Sequence, residues 1–259
     1  MSDKPVVGKV SFGPKSNKIE LTERVDLEAA NAEDPMYYYK YARTRGIDYN
    51  FYGDWQKNYA KMVINVCEVI RHTEKAKPSF LDVGCACGVN TRAFKELNMF
   101  GSVRGCDPSE FMIDLGRKTH GFTEEELFVA SGQQLTSVKN KSIDFIHCAN
   151  VLEHCTEDVI RRIFNEFNRV LTEEGLIFLI FPAIRDEQSK EKMEAIESNI
   201  THVTIKDVAW WDRLLKRQFE IDYDVYDKFK EDKHSPDNSN KTFYDYYNEE
   251  WTLFLLTRR

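Results

Sequence analysis

The segment FLDVGCACGVNTRAF, residues 80–94, contains the residues of this sequence whose types and spacing point most directly to chemistry. An apolar run ends at Asp82, and a turn with two cysteines and two glycines leads into a helix-like stretch. A strand followed by a glycine-containing turn and a helix is where open α/β sheets bind ligands. The turn is therefore a candidate metal-binding site, phosphate-binding loop or binding loop for another ligand.

The spacing of the cysteines and glycines fits neither a structural metal site nor a phosphate-binding loop. Cys85 and Cys87 form C-x-C, and no C-x-x-C or H-x-x-x-H follows at a spacing suited to structural zinc. The dinucleotide fingerprint G-x-G-x-x-G fails because Ala86 and Val89 occupy its second and third glycine positions. No Gly-Lys-Ser/Thr follows, so the Walker pattern fails as well. The six cysteines are predicted to be reduced thiols in a chain too large to need disulfide staples.

Two acidic residues stand where the first two predicted strands end. Asp82 would repel a pyrophosphate but suits a ligand with a positive centre. Asp107 lies 19 residues after Gly88, close to the roughly 20-residue spacing at which an acidic side chain accepts hydrogen bonds from a ribose diol. Together the two acids predict an adenosine-like ligand with a positive tail.

The elements that must position these residues alternate between strand-like and helix-like patterns from residue 78 onward. This alternation is typical of a mostly parallel sheet that helices cover on both faces. The clearest helix begins near Thr156, because its apolar residues fall on one face and Glu157 and Asp158 suit its positive end. The predicted strands are residues 79–83, 101–106, 127–130, 143–149 and 176–181.

The C-terminal part of the chain is predicted to complete the sheet. Residues 206–218 indicate a helix, and residues 219–226 and 250–257 indicate two strands. Residues 228–242 are polar and rich in Asn, Asp and Ser, which predicts a loop. Two strands joined without a helix predict an antiparallel hairpin at the sheet edge.

LDVGCACG, the acidic end of the second strand and SIDFIHCANVLEH together resemble the class I S-adenosylmethionine-dependent methyltransferases, whose glycine loop is usually written D-x-G-x-G-x-G. The resemblance covers residues 80–219 and departs from the usual loop at Ala86. It implies an α/β fold, a doubly wound, mostly parallel, Rossmann-like seven-stranded sheet. It also implies S-adenosyl-L-methionine as cofactor, S-adenosyl-L-homocysteine as product, and a last strand inserted between the fifth and the sixth.

The chain is expected to contain an N-terminal extension over residues 1–70 and a methyltransferase domain over residues 71–259, with a charged insertion around 183–205. Seven tyrosines and a tryptophan between residues 36 and 70 predict a helical extension that lies on the core. It is either ordinary core or a lid, because methyl transfer requires the exclusion of water. The lid candidates are Tyr38, Tyr39, Arg43, which is able to meet the cofactor's carboxylate, and Trp55.

The resemblance assigns the cofactor pocket to the carboxyl ends of the strands. It implies that residues 84–88 line the methionine part, Asp107 the ribose, residues 131–133 the adenine and residues 148–150 the far wall. The predicted cofactor-binding residues are Asp82, Gly84, Cys85, Ala86, Gly88, Asp107, Pro108, Ser131, Gly132, Gln133, Cys148, Asn150, Arg43 and Trp55.

His202 and His154 are the candidate catalytic residues. A base is needed if the methyl acceptor must lose a proton, and His202 is the first candidate because it follows the fifth strand at the mouth of the presumed pocket. His154, in VLEH, is the second. A structural, hydrogen-bonded role is the alternative for each ring. No ordered set of carboxylates and histidines indicates a divalent metal, so no metal is predicted.

The net charge and hydropathy of the chain limit the classes of partner and the location that are expected. A net charge of -7 disfavours extended nucleic acid and anionic membranes, which attract basic surfaces. No apolar run approaches the roughly 18 to 20 residues that span a bilayer, and the N-terminus lacks the pattern of a secretory signal, so a cytoplasmic location is expected. The leading hypothesis is methyl transfer to an oxygen or nitrogen of a metabolite, sugar or natural-product intermediate. The alternatives are protein or RNA methylation, cofactor binding without turnover, and a dinucleotide oxidoreductase.

Overall fold

The computed structural model describes residues 25–44, 52–69, 77–186, 190–191, 201–247 and 251–259. The strands are β1 Ser79–Val83, β2 Ser102–Asp107, β3 Leu127–Val129, β4 Ile143–Ala149, β5 Leu171–Pro182, β6 Phe219–Asp222 and β7 Trp251–Arg258. The α-helices of the described residues are α1 Leu27–Glu33, α2 Tyr37–Thr44, α3 Asp54–Cys67, α4 Val89–Glu96, α5 Glu110–His120, α6 Glu157–Val170, α7 Val208–Leu215, α8 Val225–Glu231 and α9 Phe243–Tyr247. Each of these helices is too short or too polar to span a lipid bilayer.

The seven strands form one sheet with the order β3-β2-β1-β4-β5-β7-β6. The first five strands in the chain run parallel to one another, and β7 pairs antiparallel with both β5 and β6. This arrangement confirms the predicted doubly wound, mostly parallel α/β sheet. The last strand lies between the fifth and the sixth, as the family resemblance implied.

The two faces of the sheet bury apolar side chains against different helices. On one face, Leu81 and Ile146 belong to a cluster with residues of α6 and α7. On the other face, Phe80 and Phe145 pack with residues of α3, α4, α8 and α9. Successive side chains along a strand point to opposite faces, so the neighbours Phe80 and Leu81 enter different layers. The sheet is thereby covered on both sides, and the ends of its strands are left to form a site.

The predicted pairing of the last two strands is antiparallel, but the expectation of a helix-free connection is wrong. Both α8 and α9 lie between β6 and β7, and α8 occupies the start of the predicted loop at residues 228–242. Val225 and Phe229 are buried four residues apart, a helical spacing within a polar stretch. β7 is the inner strand because residues 252–256 are all buried, whereas β6 buries only Phe219.

The predicted helix at 206–218 is observed as the shorter α7. Its N-terminus is capped by Asp207, whose Oδ1 accepts a hydrogen bond from the backbone N–H of Trp210 at 2.6 Å. Residues 187–189 and 192–200, which make up much of the predicted charged insertion, lie outside the described residues.

Among the described residues, α1, α2 and α3 precede the sheet, which confirms the predicted helical extension. Tyr59 and Met62 of α3 pack on the sheet in the cluster that contains Phe80. α1 and α2 pack together through Leu27 and Tyr41 in a separate small cluster. Residues 1–24, 45–51 and 70 of the predicted extension lie outside the described residues.

Gly116 allows α5 to approach the glycine-rich loop closely. A Cβ atom at this position would lie 2.3 Å from the carbonyl oxygen of Cys87 and 2.7 Å from Cδ2 of Leu127. The helix therefore packs directly on the loop backbone, and it holds the loop against β3.

We expect Gly116→Ala to lower the free energy of unfolding by about 1–3 kcal/mol, because overpacking must push α5 away from the loop. Alanine is favoured over glycine in a helix by about 1 kcal/mol, so this loss would appear despite better helix propensity. Lys118→Ala on the exposed face of the same helix is the matched control. Urea denaturation of both variants measures the difference, and a more stable Gly116→Ala variant would contradict the packing argument.

Candidate functional site

A cleft opens at the carboxyl ends of β1, β2 and β4. Strand ends and the N-terminal helices line it jointly. The lining residues are Leu27, Glu28, Asn31, Tyr38, Val83, Gly84, Asp107, Pro108, Ser131, Gly132, Asn150, Val151, His154, Cys155 and Ile163.

The glycine-rich loop is tied to β2 by backbone hydrogen bonds. The N–H groups of Gly84 and Cys85 both donate to the carbonyl oxygen of Cys106, at 2.8 and 3.0 Å. Gly84 has a φ of +73°, and a Cβ there would lie 2.2 Å from Cγ2 of Val151. Only glycine satisfies both constraints, so this position of the loop pattern has a direct physical cause.

Ala86, which replaces the middle glycine of the family pattern, also adopts a positive φ of 49°. An L-residue in this region bears a conformational cost of about 1–2 kcal/mol. The conformation directs the Ala86 N–H to Oδ2 of Asp107, at 2.9 Å. The strained alanine thus contributes to holding an acidic side chain of the neighbouring strand.

Asp107 lies at the cleft with both carboxylate oxygens anchored. Oδ1 accepts from the backbone N–H of Ser109 at 2.9 Å, and Oδ2 accepts from Ala86. Burial raises the pKa of Asp107 to about 6, the backbone donors lower it in part, and the charge of Asp82 adds to the increase. Each oxygen retains a lone pair, so the carboxylate can accept further hydrogen bonds from a ligand.

Asp82 does not line the cleft, although the sequence places it beside Asp107. Its side chain is buried, Oδ2 accepts from Oγ1 of Thr91 at 2.6 Å, and Oδ1 lies 2.7 Å from Nδ1 of His147. Nε2 of His147 lies 2.9 Å from the hydroxyl of Tyr59. Both ring nitrogens of His147 therefore have hydrogen-bond partners, since Nδ1 contacts Asp82 and Nε2 contacts Tyr59. Asp82 is therefore a structural anchor beneath the loop.

The remaining predicted loop and strand residues divide into two groups. Gly84, Pro108, Ser131, Gly132 and Asn150 line the cleft. Four others are not among its lining residues, namely Cys85, Ala86, Gly88 and Cys148.

The described cysteines are free and buried. Burial raises the pKa values of Cys85 and Cys148 well above the usual range of a thiol. A buried thiol with a raised pKa is a poor nucleophile, so both side chains are packing groups.

Gln133 contributes to the site without lining the cleft. Its Nε2 donates to Oε1 of Glu28 on α1 at 2.7 Å, and its Oε1 accepts from Nε of Arg162 on α6 at 2.6 Å. Oγ of Ser109 donates to the carbonyl oxygen of Pro35 at 2.8 Å. These contacts fasten the α1–α2 pair over the strand ends.

The N-terminal helices supply four lining residues, of which the sequence analysis selected only Tyr38. Leu27, Glu28 and Asn31 lie on α1, which precedes the aromatic segment. The sequence signal that marks the start of α1 is Asp26, a residue type that favours the N-cap position. Its side chain accepts hydrogen bonds from the N–H groups of Glu28 and Ala29.

The other lid candidates lie elsewhere. Tyr39 packs on Phe111 with ring centroids 5.1 Å apart. Trp55 packs edge-on against Phe243 and Tyr246, at centroid distances of 5.5 and 5.3 Å, and is not a lining residue. Arg43 is exposed on α2 and does not line the cleft.

His154 and His202, the candidate catalytic residues, lie side by side with ring centroids 5.0 Å apart. His154 lines the cleft at the end of the 3-10 turn Leu152–His154, and its Nδ1 donates to the carbonyl oxygen of Thr201 at 2.8 Å. Burial lowers the pKa of His154 to about 4 and raises that of the adjacent Glu153 to about 8. The turn thus holds a neutral imidazole whose Nε2 carries the lone pair.

Residues 80–175 match a family model described as a methyltransferase domain. No curated protein matches the sequence. Among solved structures, the PH0226 protein from Pyrococcus horikoshii OT3 is similar, with a TM-score of 0.54 and 17% identity over 78% of this chain and 91% of that chain.

Two further similar structures contain ligands. One is the geranyl diphosphate C-methyltransferase from Streptomyces coelicolor A3(2) with Mg²⁺, geranyl diphosphate and S-adenosyl-L-homocysteine, with a TM-score of 0.51 and 13% identity over 76% of this chain and 78% of that chain. The other is a geranyl diphosphate methyltransferase with GPP and sinefungin, with a TM-score of 0.54 and 12% identity over 78% of this chain and 77% of that chain. At these identities the structural similarity establishes the fold.

We expect Tyr59→Phe to lower the free energy of unfolding by about 1–3 kcal/mol, because it leaves Nε2 of His147 buried without its donor. The matched control is Tyr37→Phe. The Tyr37 hydroxyl is also buried, but it has no hydrogen-bond partner among the described residues. Its removal leaves no partner unsatisfied and should therefore not lower the free energy of unfolding. Equal losses in the two variants, measured by denaturant unfolding, would argue against the Tyr59–His147–Asp82 chain as an anchor.

Proposed function

We propose that this chain moves a methyl group from S-adenosyl-L-methionine to an oxygen or nitrogen of a small-molecule acceptor, because residues 80–175 match a family model described as a methyltransferase domain. S-adenosyl-L-methionine is the cofactor, as predicted, and S-adenosyl-L-homocysteine is the product. One observation carries the proposal: a single cleft connects the anchored Asp107 carboxylate to the imidazole of His154 beneath the N-terminal helices.

We propose that Asp107 holds the ribose. Its two oxygens each accept one backbone N–H and keep a lone pair for one of the two ribose hydroxyls. The backbone around Gly84 would contact the methionine part, and Ser131 and Gly132 would contact the adenine. Asp82 supports this arrangement from below, since its carboxylate is already occupied by Thr91 and His147.

The N-terminal helices favour a small acceptor. Leu27, Glu28, Asn31 and Tyr38 line the cleft from the α1–α2 side, where they limit access by a folded macromolecule. We propose that residues 1–70 act as a lid on the domain over residues 71–259. Closure by such a lid would exclude water and confine the acceptor beside the methyl group. Methylation of a protein or RNA is the alternative, for which an opened lid would be required.

The reaction is an in-line displacement in which the carbon–sulfur bond breaks as the acceptor bonds to the methyl carbon. Sulfur takes the bonding electron pair. Positioning supplies on the order of 7–11 kcal/mol of the barrier when the reacting groups are held in near-attack geometry. His202 and His154 are the proposed bases for an acceptor that loses a proton. A pKa of about 4 makes His154 a weak base near neutral pH, so His202 remains the first candidate.

Methyl transfer itself is tested with purified protein, cofactor labelled on its methyl group and a metabolite extract. We expect the label to appear in a small-molecule acceptor together with S-adenosyl-L-homocysteine. Tight cofactor binding without labelled product would favour a non-catalytic binding protein. Label in protein or RNA added to the assay would favour the macromolecular alternative. Stabilisation by a nicotinamide dinucleotide instead of S-adenosyl-L-homocysteine would favour an oxidoreductase.

We expect Asp107→Asn to weaken S-adenosyl-L-homocysteine binding by roughly 10- to 100-fold, because a charged acceptor is lost from the ribose. In the native protein the affinity should also fall as the pH drops below about 6, because the ligand-free carboxyl then gains a proton that the bound ribose excludes. Above that pH the carboxylate is already ionised, and the affinity should be constant with respect to this group.

Isothermal titration calorimetry between pH 5 and pH 8 measures both effects. Glu110→Gln, an exposed carboxylate in the first turn of α5, is the control and should bind like the native protein. The decline in affinity below pH 6 should be absent in Asp107→Asn. An unchanged affinity in that variant would remove Asp107 from the ribose site.

A further inference from the structure

Three side chains with metal-ligating atoms meet beside the cofactor cleft. Glu153 and His154 lie on the turn after β4, and His202 lies beyond β5. Their ligating atoms all fall within 4.8 Å of one another. No metal is predicted from the sequence, because the sequence shows no ordered set of carboxylates and histidines.

The backbone holds the two segments together. The N–H of Thr204 donates to the carbonyl oxygen of Glu153 at 3.1 Å, and Oγ1 of Thr204 donates to the carbonyl oxygen of Cys155 at 2.6 Å. Nδ1 of His154 donates to the carbonyl oxygen of Thr201 at 2.8 Å. These three bonds lie on both sides of His202 in sequence, so its position beside the turn is built into the fold.

The hydrogen bond of His154 prepares its other nitrogen for coordination. A carbonyl oxygen only accepts, so Nδ1 carries the proton and Nε2 presents its lone pair. Nε2 lies 3.8 Å from Oε1 of Glu153. Metal-bound histidines typically donate their second ring N–H to a carbonyl or carboxylate, which fixes the tautomer and the orientation of the ring.

Glu153 supplies an independent indication of a ligand. Its side chain is 2% exposed, and its Oε2 has no hydrogen-bond partner among the described residues. A buried carboxylate oxygen without a partner is costly, so it calls for a proton or a cation. The imidazoles beside it are suitable co-ligands for a cation and leave the carboxylate as the charged ligand of the set.

We propose that Glu153, His154 and His202 bind one divalent transition-metal ion at the acceptor end of the cleft. Two histidines and one glutamate form a known ligand set of catalytic zinc, with a further coordination position open. Ligand atoms of a tetrahedral zinc ion lie about 3.4 Å apart, given bonds of about 2.1 Å. The 3.8 Å contact between His154 and Glu153 needs only a small contraction to reach that distance.

The open position would face the acceptor, because His154 itself lines the cleft. This role of the ion rests on the proposed methyl transfer. A bound ion would hold an oxygen of the acceptor and lower the pKa of its hydroxyl, which then releases its proton to solvent before the oxygen bonds to the methyl carbon. The inference narrows the acceptor to a molecule that offers an oxygen, and it makes the two histidines metal ligands instead of free bases.

The test measures metal binding without turnover. Full-length protein is stripped with a chelator and titrated with Zn²⁺ by calorimetry, and Co²⁺ is added separately to read the visible ligand-field absorption. We expect one ion per chain in the native protein. Affinity should fall on the order of 100-fold in Glu153→Gln and in His202→Ala, since loss of even an outer-shell partner costs 10- to 100-fold.

His234→Ala is the matched control, because His234 pairs with Asp232 away from the cleft. This variant should bind the ion like the native protein. Binding of S-adenosyl-L-homocysteine shows that each variant is folded. No stoichiometric ion in the native protein, or equal affinity in Glu153→Gln and the native protein, would overturn the site. Either result would leave methyl transfer to be judged by the labelling assay, and a failed labelling assay would leave the measured ion in place.

Discussion

Burying a carboxylate is costly unless it is hydrogen-bonded, and in this molecule the hydrogen bonds of Asp82 place it at the junction of three elements. Thr91 on α4 and His147 on β4 occupy its two oxygens, and His147 carries the connection on to Tyr59 of α3. The glycine-rich loop begins directly after this junction. Its entry angle therefore depends on an anchor that lies beneath the cleft.

The two acids at the strand ends have different environments and hence different roles. Asp82 is satisfied entirely by protein groups, whereas Asp107 is held by two backbone N–H groups and still opens to the cleft. The charge of Asp82 contributes to the raised pKa of Asp107, which links the anchor to the carboxylate that opens to the cleft. Ala86 completes this link, since its positive φ directs an N–H at Asp107.

Much of the fold and of the candidate site could be predicted from the sequence, because apolar periodicity and turn residues reflect interactions between neighbours in the chain. Alternating strands and helices followed from apolar periodicity, and the loop was recognised from glycines that a tight turn and close packing require. Asp107 was selected by its position at the end of a strand, whereas Ser131, Gly132 and Asn150 were assigned by the family resemblance, and these residues line the cleft. Helices α8 and α1 were missed because their buried faces are short and their composition is polar.

The sequence by itself determined the sheet, the loop conformation and the set of residues at the strand ends, since each depends on neighbours in the chain. Only the tertiary structure decided that Asp82 is an anchor, that Gln133 fastens α1, and that Glu153 meets His202. Those roles depend on which distant groups share a buried volume. Hydrogen-bond satisfaction and desolvation act there on residues that are remote in sequence, so no local pattern records them.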